Sequence, residues 1–263
     1  MLIGETAPSK GTISSRPLDF LRAVFCLDKR WRRIGHCTPI HASGWAQHPY
    51  LPGIPPWAKP RPNYISIVSL GRLTRALRLA YRAGATAQRL PVYVTEFGVE
   101  SYPEPASRFG VSQQRQAEYM AISEWMLYEN PEVRSYAQFL ITDDPGKYSY
   151  LSFQTGLRFA NGTPKLSYYS FPMTLAVRRL SANTLQIWGH VRPGSGYRSV
   201  SIDYRDSDQI PRPLETVSTD QNGYFSVTSA QQPGRQWRAT TELADGRVLQ
   251  GPWIRSYRFQ LPD

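Results

Sequence analysis

The sharpest chemical feature of the sequence is a single carboxylate. Glu96 directly follows the apolar run Leu90-Pro91-Val92-Tyr93-Val94-Thr95 and precedes Phe97-Gly98. A β-rich run of this length predicts a short strand. A carboxylate at its end is held by a rigid element, partly desolvated, and aimed at whatever the strand ends face. Such a group can attack an anomeric carbon. Glycoside hydrolysis with retention needs one ionised carboxylate for that attack, and a second, protonated carboxyl about 5 Å away to assist the leaving oxygen.

Three other polar clusters fall where a strand is expected to end: Glu5, His48 with Tyr50, and Asp143 with Asp144. Each one alone reads as a group that solvates a loop. Four on one rim read as a catalytic mouth, because in (β/α) barrels the active site lies at the carboxyl ends of the strands. Trp57, in the Pro-rich stretch from Pro52 to Pro62, is the better candidate for an aromatic sugar platform, with Trp45 behind it; Trp125 lies on an expected helix and reads as core.

The elements that must position these groups alternate. Met1-Leu2-Ile3-Gly4 reads as the end of a buried strand. Pro17 in a first turn, with Ser14 or Ser15 as cap, predicts a helix to about Leu27. A short strand is expected near Ser43–Tyr50, and a helix over 69–83 with Leu70, Leu73, Leu77 and Tyr81 on one face and Gly84 as its stop. The strand before Glu96 follows, then a helix over 112–128 capped by Ser112, then a strand over 133–141. Regular alternation of strand and helix predicts a parallel sheet with crossover helices, and four such strands are half of an eight-stranded barrel. From about Phe171 the pattern changes. Leu185, Ile187, Gly189 and Val191 alternate with polar residues, and Asn222-Gly223 and Asp245-Gly246 mark turns, which predicts an antiparallel β-sandwich of the Ig-like kind. The expected domains are therefore 1–170 and 171–263.

Composition narrows the classes. With 41% apolar and 19% charged residues, the chain can bury a core and is not of the disordered type. The net charge of +11 comes mostly from scattered Arg, densest at Lys29, Arg30, Arg32 and Arg33; it reads as a solvated surface, and nucleic-acid binding would rest on charge alone. Cys26 and Cys37 are spaced for a local disulfide or are two free thiols. His36, His41 and His190 read as surface or loop residues, and the four histidines show no metal spacing. No apolar run has transmembrane length, and the start lacks a signal-peptide layout. No P-loop, dinucleotide fingerprint or Gly-x-Ser-x-Gly elbow is present. The expectation is no cofactor, no metal, no nucleic acid and no membrane.

The segment Leu90–Gly98 resembles the nucleophile-bearing seventh strand of clan A glycoside hydrolases, with a family 39-like or family 5-like look. His48-Pro49-Tyr50 resembles the end of their sixth strand, where a His lines the sugar site and a Tyr hydrogen-bonds the nucleophile. Leu2–Pro8 resembles the end of the fifth, and Ala137-Gln138-Phe139-Leu140 the eighth. The resemblance covers about residues 1–170. It implies Glu96 as nucleophile, and His48, Tyr50, Glu5, Gln138 and Trp57 as carbohydrate-binding residues. It places the acid/base on a fourth strand, in an Asn-Glu motif that this sequence does not show. Glu5 then lines the sugar pocket or substitutes as acid.

The fold expected is thus α/β: about the last four βα units of a (β/α)8 barrel, followed by a β-sandwich. Such a half barrel leaves two open edges and an apolar interior face. That suggests a truncated product, a mispredicted start, or a half that pairs with another half, with self-association through the edges. Without the acid/base, little or no hydrolysis is expected. The rival is a non-catalytic carbohydrate-binding or structural protein. Extracellular placement is expected of full-length relatives only.

Overall fold

The computed structural model describes residues 1–8, 15–50, 53–59, 61–101, 110–145 and 153–260. The chain forms two compact units. The first takes Met1–Gly98 and Met126–Phe139, and the second takes Val99–Trp125 and Leu140–Gln260.

The first unit is built on four strands: β1 (Leu2–Thr6), β2 (Gly44–Gln47), β3 (Val92–Phe97) and β4 (Val133–Gln138). They lie in sequence order and every pairing is parallel. Parallel neighbours need crossovers; α1 (Pro17–Val24) lies between β1 and β2 in the chain and α2 (Leu70–Arg82) between β2 and β3, while α3 (Gln113–Tyr128), between β3 and β4, belongs for most of its length to the second unit. The sheet order never reverses. Trp45 on β2 is fully buried and packs against Phe20 and Phe25 of the α1 segment, at ring separations of 6.4 and 5.7 Å. It is core, not a sugar platform.

Several boundaries differ from expectation for local reasons. Pro17 opens α1 as expected, but the N-cap is Arg16 and makes no side-chain cap bond. The helix stops at Val24, because Cys26 adopts a left-handed backbone (φ 51°). Cys26 is bonded to Cys37, with the Cα atoms 6.3 Å apart. Helix α2 is preceded by a 3-10 turn at Ile67–Ser69, where Ser66 and Ser69 cap each other. Its buried stripe runs through Ala76, Leu77 and Ala80, whereas Tyr81 is exposed. Gly84 (φ 70°) ends it as expected. Among the described residues no large hydrophobic side chain of β1–β4 is fully exposed, but Leu2, Ile3, Tyr93, Val133 and Tyr136 are half-buried, and the exposed positions of β4 are Arg134, Ser135 and Ala137.

The second unit contains α4 (Leu166–Ser170) and eight strands: β5 (Met173–Arg179), β6 (Thr184–Val191), β7 (Ser199–Arg205), β8 (Arg212–Ser218), β9 (Tyr224–Ala230), β10 (Gln236–Glu242), β11 (Val248–Gln250) and β12 (Ile254–Tyr257). Their order is β8-β7-β10-β12-β5-β6-β9, with β11 also on β10. All pairs are antiparallel except β12 with β5. The mixed character comes from β12, which pairs with β10 through Ile254 and Arg255 and with β5 through Ser256 and Tyr257, joining the two halves. One core is shared across both, from Leu175 and Ile187 on one side to Ile202 and Trp237 on the other. The turn before β9 is set by Gly223 (φ 88°) and by Asp220, whose carboxylate accepts from the amides of Asn222 and Tyr224 at 2.8 and 2.9 Å.

Residues Gln116–Leu127 of α3 are all buried, two glutamates included. Glu118 accepts from the Arg255 guanidinium at 3.0 and 2.8 Å, from Gln114 at 2.9 Å and from the Tyr257 hydroxyl. Burial and the bond to Glu118 push the Tyr257 phenol well above its usual range. Burial alone would raise Glu124. The hydrogen bond with His190 (2.7 Å) and the Arg192 guanidinium (2.6 Å) outweigh it and hold the carboxyl below the usual carboxylate range. His190 is therefore not a loop histidine: it sits on β6, stacked on Tyr224 at 4.2 Å and paired with a buried acid. Trp125 is core, edge-on to Phe259 at 5.3 Å.

Candidate active site

The carboxyl ends of β1, β2 and β3 bring four side chains together. Glu96, the penultimate residue of β3, accepts a hydrogen bond from the Tyr50 hydroxyl at Oε1 (2.5 Å). Its other oxygen, Oε2, lies 3.3 Å from His48 Nδ1. The opposite ring nitrogen, Nε2, contacts Glu5 Oε2 directly. One imidazole thus stands between two carboxylates, and the more buried of them, Glu96, accepts a hydrogen bond at one oxygen and has the ring beside the other. Exposure separates the two acids: Glu5 is 54% exposed, and Glu96 24%.

Each element has a local reason to deliver its residue. Beyond β2, the His48 amide donates to Thr6 O at 2.8 Å, which carries the β1–β2 pairing one step past the strand. The Tyr50 ring stacks on Phe97 at 6.2 Å, and Phe97 packs on Tyr136 of β4 at 6.1 Å. These aromatics are the floor that aims the Tyr50 hydroxyl at Glu96. Tyr50→Phe keeps the floor and removes the donor. Hydrogen bonds to charged groups are worth about 1.5–3 kcal/mol, so turnover that uses Glu96 is expected to fall roughly 10- to 100-fold with little change in melting temperature. Steady-state kinetics beside a thermal melt checks this.

Glu5 arrives by an irregular route. The β1–β2 register shifts between Gly4 and Thr6, so Glu5 has no partner across the ladder and forms a bulge. Gly4 (φ 111°) and Glu5 (φ 51°) both take left-handed backbone. A Cβ at Gly4 would lie 2.6 Å from the Trp45 ring, so that position needs glycine. Glu5 has no such excuse, and a left-handed conformation costs an L-residue roughly 1–2 kcal/mol. Bulges of this kind re-aim side chains at barrel rims and active sites.

The other expected residues are placed as follows. Gln138 ends β4 opposite Phe97 in register and accepts from the Tyr136 hydroxyl at 3.0 Å. Trp57 is half-buried in the loop segment 53–59. Asp143 is no rim carboxylate. It belongs to the second unit and is fully buried, accepting from Lys165 Nζ at 2.7 Å and from the Gly156 amide at 2.8 Å. Asp144 accepts from the Phe153 amide at 2.8 Å. His36 and His41 are exposed.

No family model matches the chain, and neither does any curated protein sequence. Among solved structures it is similar to a β-glucuronidase from Bacteroides uniformis, with TM-score 0.35 and 14% identity over 82% of this chain and 26% of that one. It is similar to a family 39 glycoside hydrolase from Bacteroides cellulosilyticus WH2, with TM-score 0.41 and 16% identity over 74% and 44%. It is also similar to a β-glucuronidase from Parabacteroides merdae, with TM-score 0.38 and 13% identity over 87% and 32%. The chain spans less than half the length of each. At these scores the likenesses say nothing about chemistry, which rests on the site itself.

Two residues at this rim carry no signal in the sequence. Thr95, next to Glu96 on β3, donates to Glu5 Oε2 at 3.2 Å. Thr6 donates to the buried Gln47 at 2.6 Å and ties the ends of β1 and β2 together. Threonine in a strand is ordinary on propensity grounds, so nothing distinguishes these two before the strands are paired. Among the described residues, no group of three or more His, Cys, Asp or Glu side chains could hold a metal ion, and no helix is long and apolar enough to cross a membrane.

Proposed function

We propose that the first unit carries the nucleophile side of a retaining O-glycoside hydrolase site. Glu96 attacks the anomeric carbon; its electron pair forms the glycosyl ester while the bond to the leaving oxygen breaks. Water, giving a proton to the carboxyl that served as acid, then attacks the anomeric carbon from the face the leaving oxygen vacated, and Glu96 departs as the carboxylate. The observation that supports this reading is the setting of Glu96 between Tyr50 and His48. The Tyr50 hydroxyl donates to Oε1, and the His48 ring stands 3.3 Å from Oε2, a setting that favours one orientation of a strand-end carboxylate, as a nucleophile that must meet carbon in line requires.

On this reading residues 1–170 are part of a clan A (β/α)8 barrel of family 39-like or family 5-like type, and 171–263 are a β-sandwich accessory domain. His48, Tyr50, Glu5, Gln138 and Trp57 line the sugar site. The general acid is a carboxyl outside this set. Self-association through β1 and β4, the two ends of the sheet order, belongs to the same proposal. The solved structures above carry glycosidase names, and the reading falls in that class without resting on them.

The experiment must not depend on the general acid. Dinitrophenyl glycosides leave without protonation, so a panel of them (glucoside, xyloside, galactoside, glucuronide) reports on the nucleophile alone. The expected result is turnover of at least one, with the first-formed sugar of retained anomeric configuration by proton NMR. Turnover with inversion would remove the nucleophile role from Glu96. Failure of the whole panel, joined to sugar binding by residues 171–263, would favour a non-catalytic carbohydrate-binding protein.

A further inference from the structure

We infer that Glu5 is the positioning carboxylate of this site: it accepts the Nε2–H of His48 and thereby fixes which ring nitrogen faces Glu96. The kinetic part of this inference rests on the glycosidase reading; the structural part does not.

Three observations carry it. First, His48 stands between two carboxylates, with Nε2 on Glu5 Oε2 and Nδ1 3.3 Å from Glu96 Oε2. A neutral imidazole has one N–H, and its tautomer is set by the partner that accepts it. The direct contact is the one with Glu5, so the proton belongs at Nε2, and Nδ1 is the nitrogen presented to Glu96. Second, Glu5 is itself held. Thr95 donates to the same Oε2 at 3.2 Å, and Thr95 is the chain neighbour of Glu96. The end of β3 therefore fixes the carboxylate that in turn fixes His48. Third, the backbone is bent to make this contact. Glu5 sits in a bulge with φ 51°, a conformation that suits glycine or asparagine. Strain kept at a site of this kind is the signature of a geometric task. Glu5 acts through His48, not on the reacting atoms.

The test uses the full chain. Long-range proton–nitrogen NMR of the imidazoles, with His48 assigned by its loss in His48→Gln, is expected to show Nε2 protonated in the unaltered protein. Glu5→Ala is expected to move both His48 nitrogen signals toward an ordinary tautomer mixture. Glu5→Gly, which suits the left-handed backbone, is expected to melt no lower than the parent. On a dinitrophenyl glycoside, Glu5→Ala is expected to lower kcat roughly 10- to 100-fold, the range that loss of a hydrogen bond to a charged group gives, with KM changed less than about threefold. Glu5→Gln, whose amide oxygen can still accept from Nε2–H, is expected to recover part of the rate. An unprotonated Nε2 in the parent, or His48 signals unmoved in Glu5→Ala, overturns the inference. A marked loss of melting temperature in Glu5→Gly also overturns it, since Glu5 would then be a structural residue. Expected NMR changes in a protein that hydrolyses nothing would leave Glu5 in its place and remove the glycosidase reading instead.

Discussion

Glu96→Ala is expected to lower kcat on an activated aryl glycoside by on the order of 10⁴-fold or more, the range seen when a nucleophile is removed. The cause is specific. Tyr50 donates to one oxygen of this carboxylate and His48 stands beside the other, and without the carboxylate nothing at the end of β3 can form the glycosyl ester. The vacated space admits a small anion, so azide is expected to restore turnover and to yield a glycosyl azide of inverted configuration. Folding should barely change, because Glu96 closes a strand and lies at a rim, not in the core. Activity within about tenfold of the parent would place the chemistry elsewhere.

The largest expected effect on stability lies in the second unit. The side chains of Lys165 and Asp143 are both fully inaccessible to solvent. Lys165 Nζ donates to Asp143 Oδ1 at 2.7 Å and to Gln154 O at 3.1 Å. Removing one partner of a buried pair strands a charge and costs about 3–5 kcal/mol. Lys165→Met is expected to show that loss in urea denaturation followed by tryptophan fluorescence. Adding Asp143→Asn removes the stranded charge, while the amide oxygen can still accept from the Gly156 amide at the same position. The double variant should therefore be more stable than Lys165→Met alone. Additive losses would show that the pair does not interact as described. Turnover per folded molecule should be unaffected in both, since Asp143 is not a rim carboxylate.

Asp143 shows why the sequence misleads in places. Thr142-Asp143-Asp144-Pro145 has the composition of a strand exit, and strand exits are where catalytic acids sit in a barrel. What decides its role is Lys165, which comes 22 residues later and is placed only by the tertiary fold. The buried glutamates of α3 were illegible for the same reason. Glu118 and Glu124 look like the polar face of a surface helix, but their partners Arg255 and His190 lie 137 and 66 residues away. From Gln116 to Leu127 helix α3 has no exposed face, which no local pattern announces.

What the sequence did make legible is whatever repeats at short range. Apolar periodicity located α2, Pro17 and the Ser112 cap located α1 and α3, and β-rich apolar runs located the four parallel strands, all to within a few residues. Strand ends then put Glu96, His48 and Tyr50 on one rim, where the structure joins them. Glu5 was found as a residue but not as a contact. Its approach depends on a bulge and a left-handed backbone, and glutamate carries no signal for either. The parallel pairing of β12 with β5 was equally hidden, because alternation identifies a strand without naming its neighbour.

The central claim is that Glu96 is the nucleophile, and covalent capture tests it most directly. A 2-deoxy-2-fluoroglycosyl fluoride of the preferred sugar needs no acid to expel fluoride, and its ester turns over slowly. After incubation with the full chain and proteolysis, mass spectrometry is expected to find one added fluoroglycosyl group, on the peptide containing Glu96 and on that residue within it. A label on another carboxylate, Glu5 included, would contradict the account.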